Sequence, residues 1–356
     1  MDPFLTLSAA DRAVAFQQAE AILRLPAASI EKDFWVCFTL RALFSLPDWQ
    51  DHLTFKGGTS LSKAWDLIQR FSEDIDLVID RPFLGIKGDA APENAPSRKQ
   101  RLKRVEDVKI RARAAIEERL LPTLEQQLAS VIPPGPNWQV AVDPDDPDQQ
   151  TLLFHYPGVL QPKEASLSPY VRPVVRVELG ARSDTEPLEH CEIEPDIARV
   201  FPAAVGSGRF TVRVVSPKRT FIEKAMLLHE QACRKTLKPP RARLSRHYYD
   251  VYCLIGAGIA DAALATEGLF ANVVRHRAIY FPEPLRDGHG YDGLTPAGLR
   301  LRPDPGFMSD WRADYQKMRE SMFYGSSPDF DEVLREVGRF EDGMLFFLSS
   351  AQTDGP

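Results

Sequence analysis

The segment KGGTSLSKAWDLIQRFSEDID, residues 56–76, constrains this chain more than any other. Gly57 and Gly58 follow the hydrophobic stretch HLTF at 52–55 and precede a helical pattern at 61–70. Thr59 and Ser60, between them, are residue types that cap helix starts. Glycines at a strand-to-helix turn let the backbone approach a ligand closely. The N–H groups at a helix start favour an anion such as a triphosphate. After the expected helix, EDIDLVI at 73–79 alternates like a half-buried strand. Ile75, Leu77 and Ile79 share one face, and Asp74 and Asp76 point together to the other. Two carboxylates side by side repel, and a shared cation relieves the repulsion. Mg2+ suits, because it takes hard oxygen ligands from one or two carboxylates plus substrate phosphates, and Mn2+ could replace it. A GG-T-S turn or a D-x-D pair is common when alone. In this order and spacing they are the apparatus of metal-dependent nucleotidyl transfer.

The chain's 356 residues have room for one large or two ordinary domains with real cores. It has 44% hydrophobic and 26% charged residues, values of a globular protein, and no run of about 18 apolar residues. The start, MDPFLTLSAADRAV, lacks the basic and apolar regions of a signal peptide. Cys37, Cys191, Cys233 and Cys253 form no CxxC pair and read as reduced thiols, so a cytoplasmic location is expected. A net charge of −6 argues against indiscriminate nucleic-acid binding. The charge is uneven, however. Residues 98–113 carry eight Lys or Arg against two acids, and 217–246 carry nine against Glu223 and Glu230. Two readings stay open: solvated helix faces, or a basic surface that tracks an RNA backbone.

Periodicity predicts helices at 8–24 and 29–45, then a long basic helix at 98–129. Segments 138–142 and 151–156 flank a turn-forming DPDDPDQQ and read as a hairpin, with further strands at 174–179 and 210–215. Ser216-Pro217 opens a helix to about 235, and helices follow at 245–256, 262–281, 309–323 and 328–349. Residues 282–307, rich in Pro and Gly, are expected to be functional or mobile. The fold class is therefore α+β. A mixed-sheet catalytic domain with N-terminal helices is expected at 1–210, and a mostly helical C-terminal domain at 211–356.

KGGTSLSK followed by RFSEDIDL resembles the AbiEii/AbiGii-type nucleotidyltransferase toxins, which include the MenT enzymes, within the DNA polymerase β-like superfamily. IEKDFWV at 30–36, RHYYDVY at 246–252, DYxxM at 314–318 and the following SSPDFDEV match family patterns in order. The resemblance implies a polymerase β-like core in which Asp74 and Asp76 are catalytic metal ligands and Gly57, Gly58, Thr59 and Ser60 bind nucleotide. It also implies a third acid, for which Glu178 on the strand VVRVEL is the candidate, with Arg176 on the same face. A lysine contacting the nucleotide corresponds to Lys224, and Lys63, one turn into the helix, is a further phosphate candidate. The family reads R-D-x-x-D where this chain has Arg246, His247 and Asp250. Asp250 is therefore the safer carry-over for nucleotide binding, and an intrahelical Arg246–Asp250 pair is the other reading. Tyr248, Tyr249 and Tyr252 could stack on a base or pack in the core, and Arg70 is expected to pair with Glu73. The implied function is a toxin that transfers NMP from NTP to an RNA acceptor, the tRNA 3′ end, and so blocks translation, with a cognate antitoxin encoded separately. The rivals are a same-fold transferase acting on a protein or small molecule, and a catalytically silent binding protein.

Overall fold

The computed structural model describes residues 1–72, 74–133, 138–160, 173–323 and 327–351. In chain order, helices α1 (Asp2–Leu5), α2 (Ala9–Leu23) and α3 (Ala27–Leu43) lead into β1 (Leu53–Lys56), α4 (Gly57–Lys63) and β2 (Asp74–Ile79). Helices α5 (Arg98–Ala115) and α6 (Leu121–Ala129) are joined by a π-helical turn, and β3 (Gln139–Val142), β4 (Thr151–His155), β5 (Val174–Gly180) and β6 (Leu188–Ile193) follow. A short α7 (Pro202–Val205) precedes β7 (Phe210–Val215). From there the described chain is helical: α8 (Pro217–Cys233), α9 (Arg246–Gly256), α10 (Ile259–Ala265), α11 (Leu269–Tyr280), α12 (Met308–Met322) and α13 (Phe330–Ala351). The seven strands make one mixed sheet in the order β3-β4-β5-β2-β1-β7-β6, so the α+β expectation holds.

Two compact units result. One holds residues 1–66 and 70–215, and the other holds 67–69 and 216–356. In the first unit, strand alternation drives Ile75, Leu77, Val175, Val177 and Leu179 into the core on one face of the sheet. Helix α3 packs on β5 and β2 and is buried almost all round, as its run of Ile30, Phe34, Trp35, Phe38 and Leu40 dictates. Trp35 stacks on Tyr156 at 5.5 Å between ring centroids and meets Phe154 edge-on at 5.8 Å. No described helix is long and apolar enough to cross a membrane, and all four cysteines are free thiols.

Three elements differ from their sequence patterns. The helix expected at 61–70 runs instead over Gly57–Lys63, because the chain turns at Ala64 and Asp66 adopts a left-handed φ of 50°. The single helix expected at 262–281 is broken at Gly268, whose φ of 70° caps the start of α11. Strand β6 had no recognisable pattern: LEHCEI is an edge strand with three of its six residues exposed.

In the second unit, the Pro- and Gly-rich segment at 282–307 is irregular yet firmly attached. The Arg286 N–H donates to the Cys233 carbonyl at 2.9 Å, and the Leu301 and Arg302 N–H groups donate to Glu341 Oε2 at 2.9 and 3.0 Å. The Tyr291 hydroxyl donates to Glu230 Oε1 at 2.9 Å. Glu230 is itself buried and accepts both nitrogens of Arg277 at 2.7 and 2.6 Å. Breaking a buried pair strands the other charge, so Glu230→Ala should lose about 3–5 kcal/mol of stability. Tyr291→Phe should lose only about 1 kcal/mol. Urea unfolding of both variants checks this, and equal midpoints for Glu230→Ala and the wild type would contradict it.

Candidate active site

Strand β2 lies antiparallel to β1, with Lys56 opposite Asp76. It lies parallel to β5, with Asp74 opposite Arg176 and Asp76 opposite Glu178. The two-residue period therefore brings Lys56, Asp74, Asp76, Arg176 and Glu178 onto one face, opposite the apolar face of the same strands. The pairing joins the three acids expected from the sequence.

Gly57 has a φ of +80° and faces Asp76 so closely that a Cβ built on it would collide with the carboxylate. Conformation and space thus both demand glycine there. At Gly58 a Cβ would come within 2.6 Å of Arg70 Nη2 and 3.0 Å of Ser72 Oγ. The glycines form the first turn of α4 itself, with Thr59 and Ser60 inside the helix rather than capping it. The Thr59 hydroxyl lies 2.9 Å from Ser72 Oγ and donates to the Asp74 carbonyl at 2.5 Å, tying the glycine turn to the first residue of β2. The Ser60 hydroxyl donates back to the Gly57 carbonyl at 2.9 Å. Backbone N–H groups at such a turn are still left over by the helix geometry and are the groups that can meet phosphate.

Arg176 has a larger part than its sequence position announced. Its guanidinium reaches Asp143 Oδ2 at 2.7 Å, Glu178 Oε1 at 3.7 Å and Asp74 Oδ1 at 3.8 Å. Asp143 is buried, and its other oxygen accepts the Asp145 N–H at 3.0 Å. The DPDD turn that contains Asp143 carried only a turn signal in the sequence; the register of β3, β4 and β5 is what brings it to Arg176. Lys56 Nζ donates to Ser183 Oγ at 2.8 Å. Among the described residues no group of three or more His, Cys, Asp or Glu is gathered around a common point that could hold a metal. Asp74 and Asp76 nevertheless fit an ion that takes two carboxylates and completes its shell with substrate phosphates and water.

Lys63, expected at the phosphates, is engaged elsewhere. Its ammonium is buried between Asp33 Oδ1 at 2.7 Å and Asp196 Oδ1 at 3.0 Å, and the Asp196 N–H donates to Asp33 Oδ2 at 2.6 Å. Burial, reinforced by Asp196, pushes the Asp33 carboxyl up to about 6. Burial opposes the charge on Lys63, but Asp33 and its neighbours hold the ammonium well above its ordinary value. The cluster fastens the end of α4 to α3 and to the Asp196–Arg199 turn.

In the second unit, Lys224 Nζ pairs with the buried Asp250 at 2.8 Å and lies 3.5 Å from His247 Nδ1. The two sequence candidates Lys224 and Asp250 are thus brought together, with His247, the departure from the family pattern, beside Lys224. Arg246 sits half-buried at the start of the same helix. Tyr248 and Tyr249 are core residues, edge-on to Trp311 and Phe323 at 5.1 and 4.4 Å. The Tyr252 hydroxyl donates to Glu332 at 3.1 Å. Arg70 is buried and donates to the Phe71 carbonyl at 3.2 Å, while its expected partner Glu73 lies outside the described residues. Much of the basic stretch at 98–113 is committed locally. Arg104 donates to the Ala91 carbonyl, Lys109 pairs with Asp148, Arg111 donates to the Leu84 carbonyl and Arg113 meets Glu117. Arg98, Lys99 and Lys103 are exposed.

The model of the family "Nucleotidyl transferase AbiEii toxin, Type IV TA system" matches residues 39–336. The chain therefore belongs to the AbiEii nucleotidyltransferase toxin family, and is a nucleotidyltransferase of a type IV toxin–antitoxin system. Among solved structures it is similar to MenT4, a nucleotidyltransferase toxin from Mycobacterium tuberculosis H37Rv. That similarity has 17% identity and a TM-score of 0.40, and covers 96% of this chain and 99% of the other. No curated protein sequence matches the chain.

The Lys63 cluster makes a pH-dependent prediction. Asp33 takes up its proton near pH 6 in the folded state, whereas its ordinary value is 3.8. The native state then binds more protons than the unfolded one between these values, so stability falls as pH rises through this window and is lowest above it. Asp33→Asn should remove that slope from a series of thermal unfolding curves at pH 4–7, and a slope unchanged in the variant would assign it to another group. Lys63→Met, which leaves the carboxylates of Asp33 and the partly exposed Asp196 facing each other without their cation, should lose about 3 kcal/mol.

Proposed function

We propose that this nucleotidyltransferase moves an NMP unit from an NTP to an RNA acceptor, the 3′ end of tRNA, with a divalent metal, Mg2+ or Mn2+, held by Asp74 and Asp76. The observation that carries the reading is the close approach of the Gly57 turn to the Asp76 carboxylate, beside Asp74 on the same strand face. The backbone at Gly57, Gly58, Thr59 and Ser60 would receive the phosphates. When bound, Mg2+ neutralises the triphosphate and lowers the pKa of the attacking hydroxyl. Glu178, across from Asp76, accepts the hydroxyl proton as the acceptor oxygen bonds to the α-phosphorus and the bond to the β-phosphate oxygen breaks, releasing pyrophosphate. On the family resemblance alone, Lys224, Arg246 and Asp250 are assigned to nucleotide binding. Extra nucleotides on the tRNA 3′ end would block aminoacylation and so translation, in the cytoplasm, until a cognate antitoxin intervenes. Exposed Arg98, Lys99 and Lys103 are cations suited to an RNA backbone.

Purified protein incubated with each labelled NTP, Mg2+ and total RNA should place label on RNA. Label on protein instead would select the rival acceptor class. Asp76→Asn should cost at least ~10³ in transfer rate, from the loss of several kcal/mol of charge stabilisation. Transfer near the wild-type rate would overturn the metal assignment.

Controlled expression should arrest growth with the wild type and not with Asp76→Asn, and sequencing of tRNA 3′ ends should show added nucleotides only in the former. Unmodified ends during arrest would rule out tRNA as the acceptor.

A further inference from the structure

Arg176 brings one positive charge to three carboxylates: Asp143 at 2.7 Å, Glu178 at 3.7 Å and Asp74 at 3.8 Å. Two of these belong to the acidic face built by β2 and β5, and the third does not. Asp143 is the anchor. It is 3% exposed, its Oδ1 is occupied by the Asp145 N–H, and its Oδ2 makes the shortest of the three contacts. A guanidinium keeps its charge at every accessible pH, so only competition can release the acids from it. A divalent cation taken up by Asp74 would therefore sit close to a fixed positive charge. The Arg176 side chain is 40% exposed, so solvent screens part of that repulsion. A triphosphate changes the balance: its negative charges attract both the metal and the guanidinium.

We propose that Arg176, anchored by Asp143, is a built-in counter-ion that withholds the acidic face from free divalent metal and admits the metal together with the triphosphate. The proposal rests on the reading of Asp74 and Asp76 as metal ligands. The Arg176 Nε lies 3.8 Å from Asp74 Oδ1, while Lys56, opposite Asp76, donates to Ser183 Oγ at 2.8 Å. The consequence is interdependent binding of metal and nucleotide, a property of the protein that can be read without turnover.

Mn2+ binding to the full chain, followed by the electron paramagnetic resonance of the free ion, tests this with and without a non-hydrolysable NTP analogue. Arg176→Gln should bind Mn2+ roughly tenfold more tightly than wild type without nucleotide, a factor equivalent to about 1.4 kcal/mol. The analogue should then strengthen Mn2+ binding far less in Arg176→Gln than in the wild type. Arg176→Lys, which keeps the charge and loses the planar fork, should retain the weak binding of the wild type, and circular dichroism of both variants checks the fold. Equal Mn2+ affinities for wild type and Arg176→Gln, with binding lost in Asp76→Asn, would overturn the counter-ion and leave the metal ligands standing. Mn2+ binding in Asp76→Asn as in the wild type would overturn both.

Discussion

Two carboxylates side by side on one strand repel each other, and much of the first unit can be understood as the means of holding Asp74 and Asp76 there. Their own strand supplies the opposite face with Ile75, Leu77 and Ile79, whose burial under α3 fixes which way the acids point. A slip of one residue in the β2 register would turn the acids into the core and the aliphatic residues out. The Thr59 hydroxyl on the Asp74 carbonyl then sets the distance from the acids to the glycine turn. Charge balance comes from Arg176, one strand over. Cohesion of the apolar face is what makes the polar face affordable.

The end of α4 is held by a different kind of interaction. Seven residues are too few for a helix to be stable alone. Its first turn is locked by Thr59, and its last by the buried Lys63 between Asp33 and Asp196. A buried ion cluster adds little net stability over apolar packing, since desolvation offsets most of the attraction. What it supplies is geometry: a lysine with two acids and a backbone N–H has few alternative arrangements, whereas leucines would slide. A turn that must leave no room for a Cβ beside Asp76 gains from that lack of alternatives.

The shared face of Asp74 and Asp76 and the glycine turn were legible in the sequence because each depends on local order: a period of two, or a turn residue type; Glu178 entered only through the family resemblance. The start of helix α8 at Ser216-Pro217 and the hairpin of β3 and β4 were legible for the same reason. Lys63 misled because its neighbours in the chain are the motif, while its partners Asp33 and Asp196 come from 30 residues before and 133 after, joined only by the fold. Arg176 and Asp143 belong to two strands of one sheet, and only register brings them together. The helix expected at 61–70 was placed too far along the chain because Leu61, Ile68 and their polar neighbours keep a helical rhythm. The left-handed backbone at Asp66, a residue type that tolerates it, ends that rhythm.

Composition reads differently once the partners of the cations are known. In a chain of net charge −6, Lys63, Lys109, Arg176 and Arg277 are spent on internal acids, so a count of basic residues in a stretch overstates its outward charge. The start of α5 is the exception. Ser97 caps it by accepting the Gln100 N–H, and its first turn carries Arg98 and Lys99 and no acidic residue. Cations there oppose the helix dipole, which favours acids at an N-terminus and bases at a C-terminus. A polyanion laid across that end gains from the dipole and from the side chains at once, and the local electrostatic cost to the helix becomes attraction for the ligand. Arg113 also stands in the last turn of α5, where a base suits the dipole, so the helix carries cations at both ends and only its first turn sets them against its own dipole.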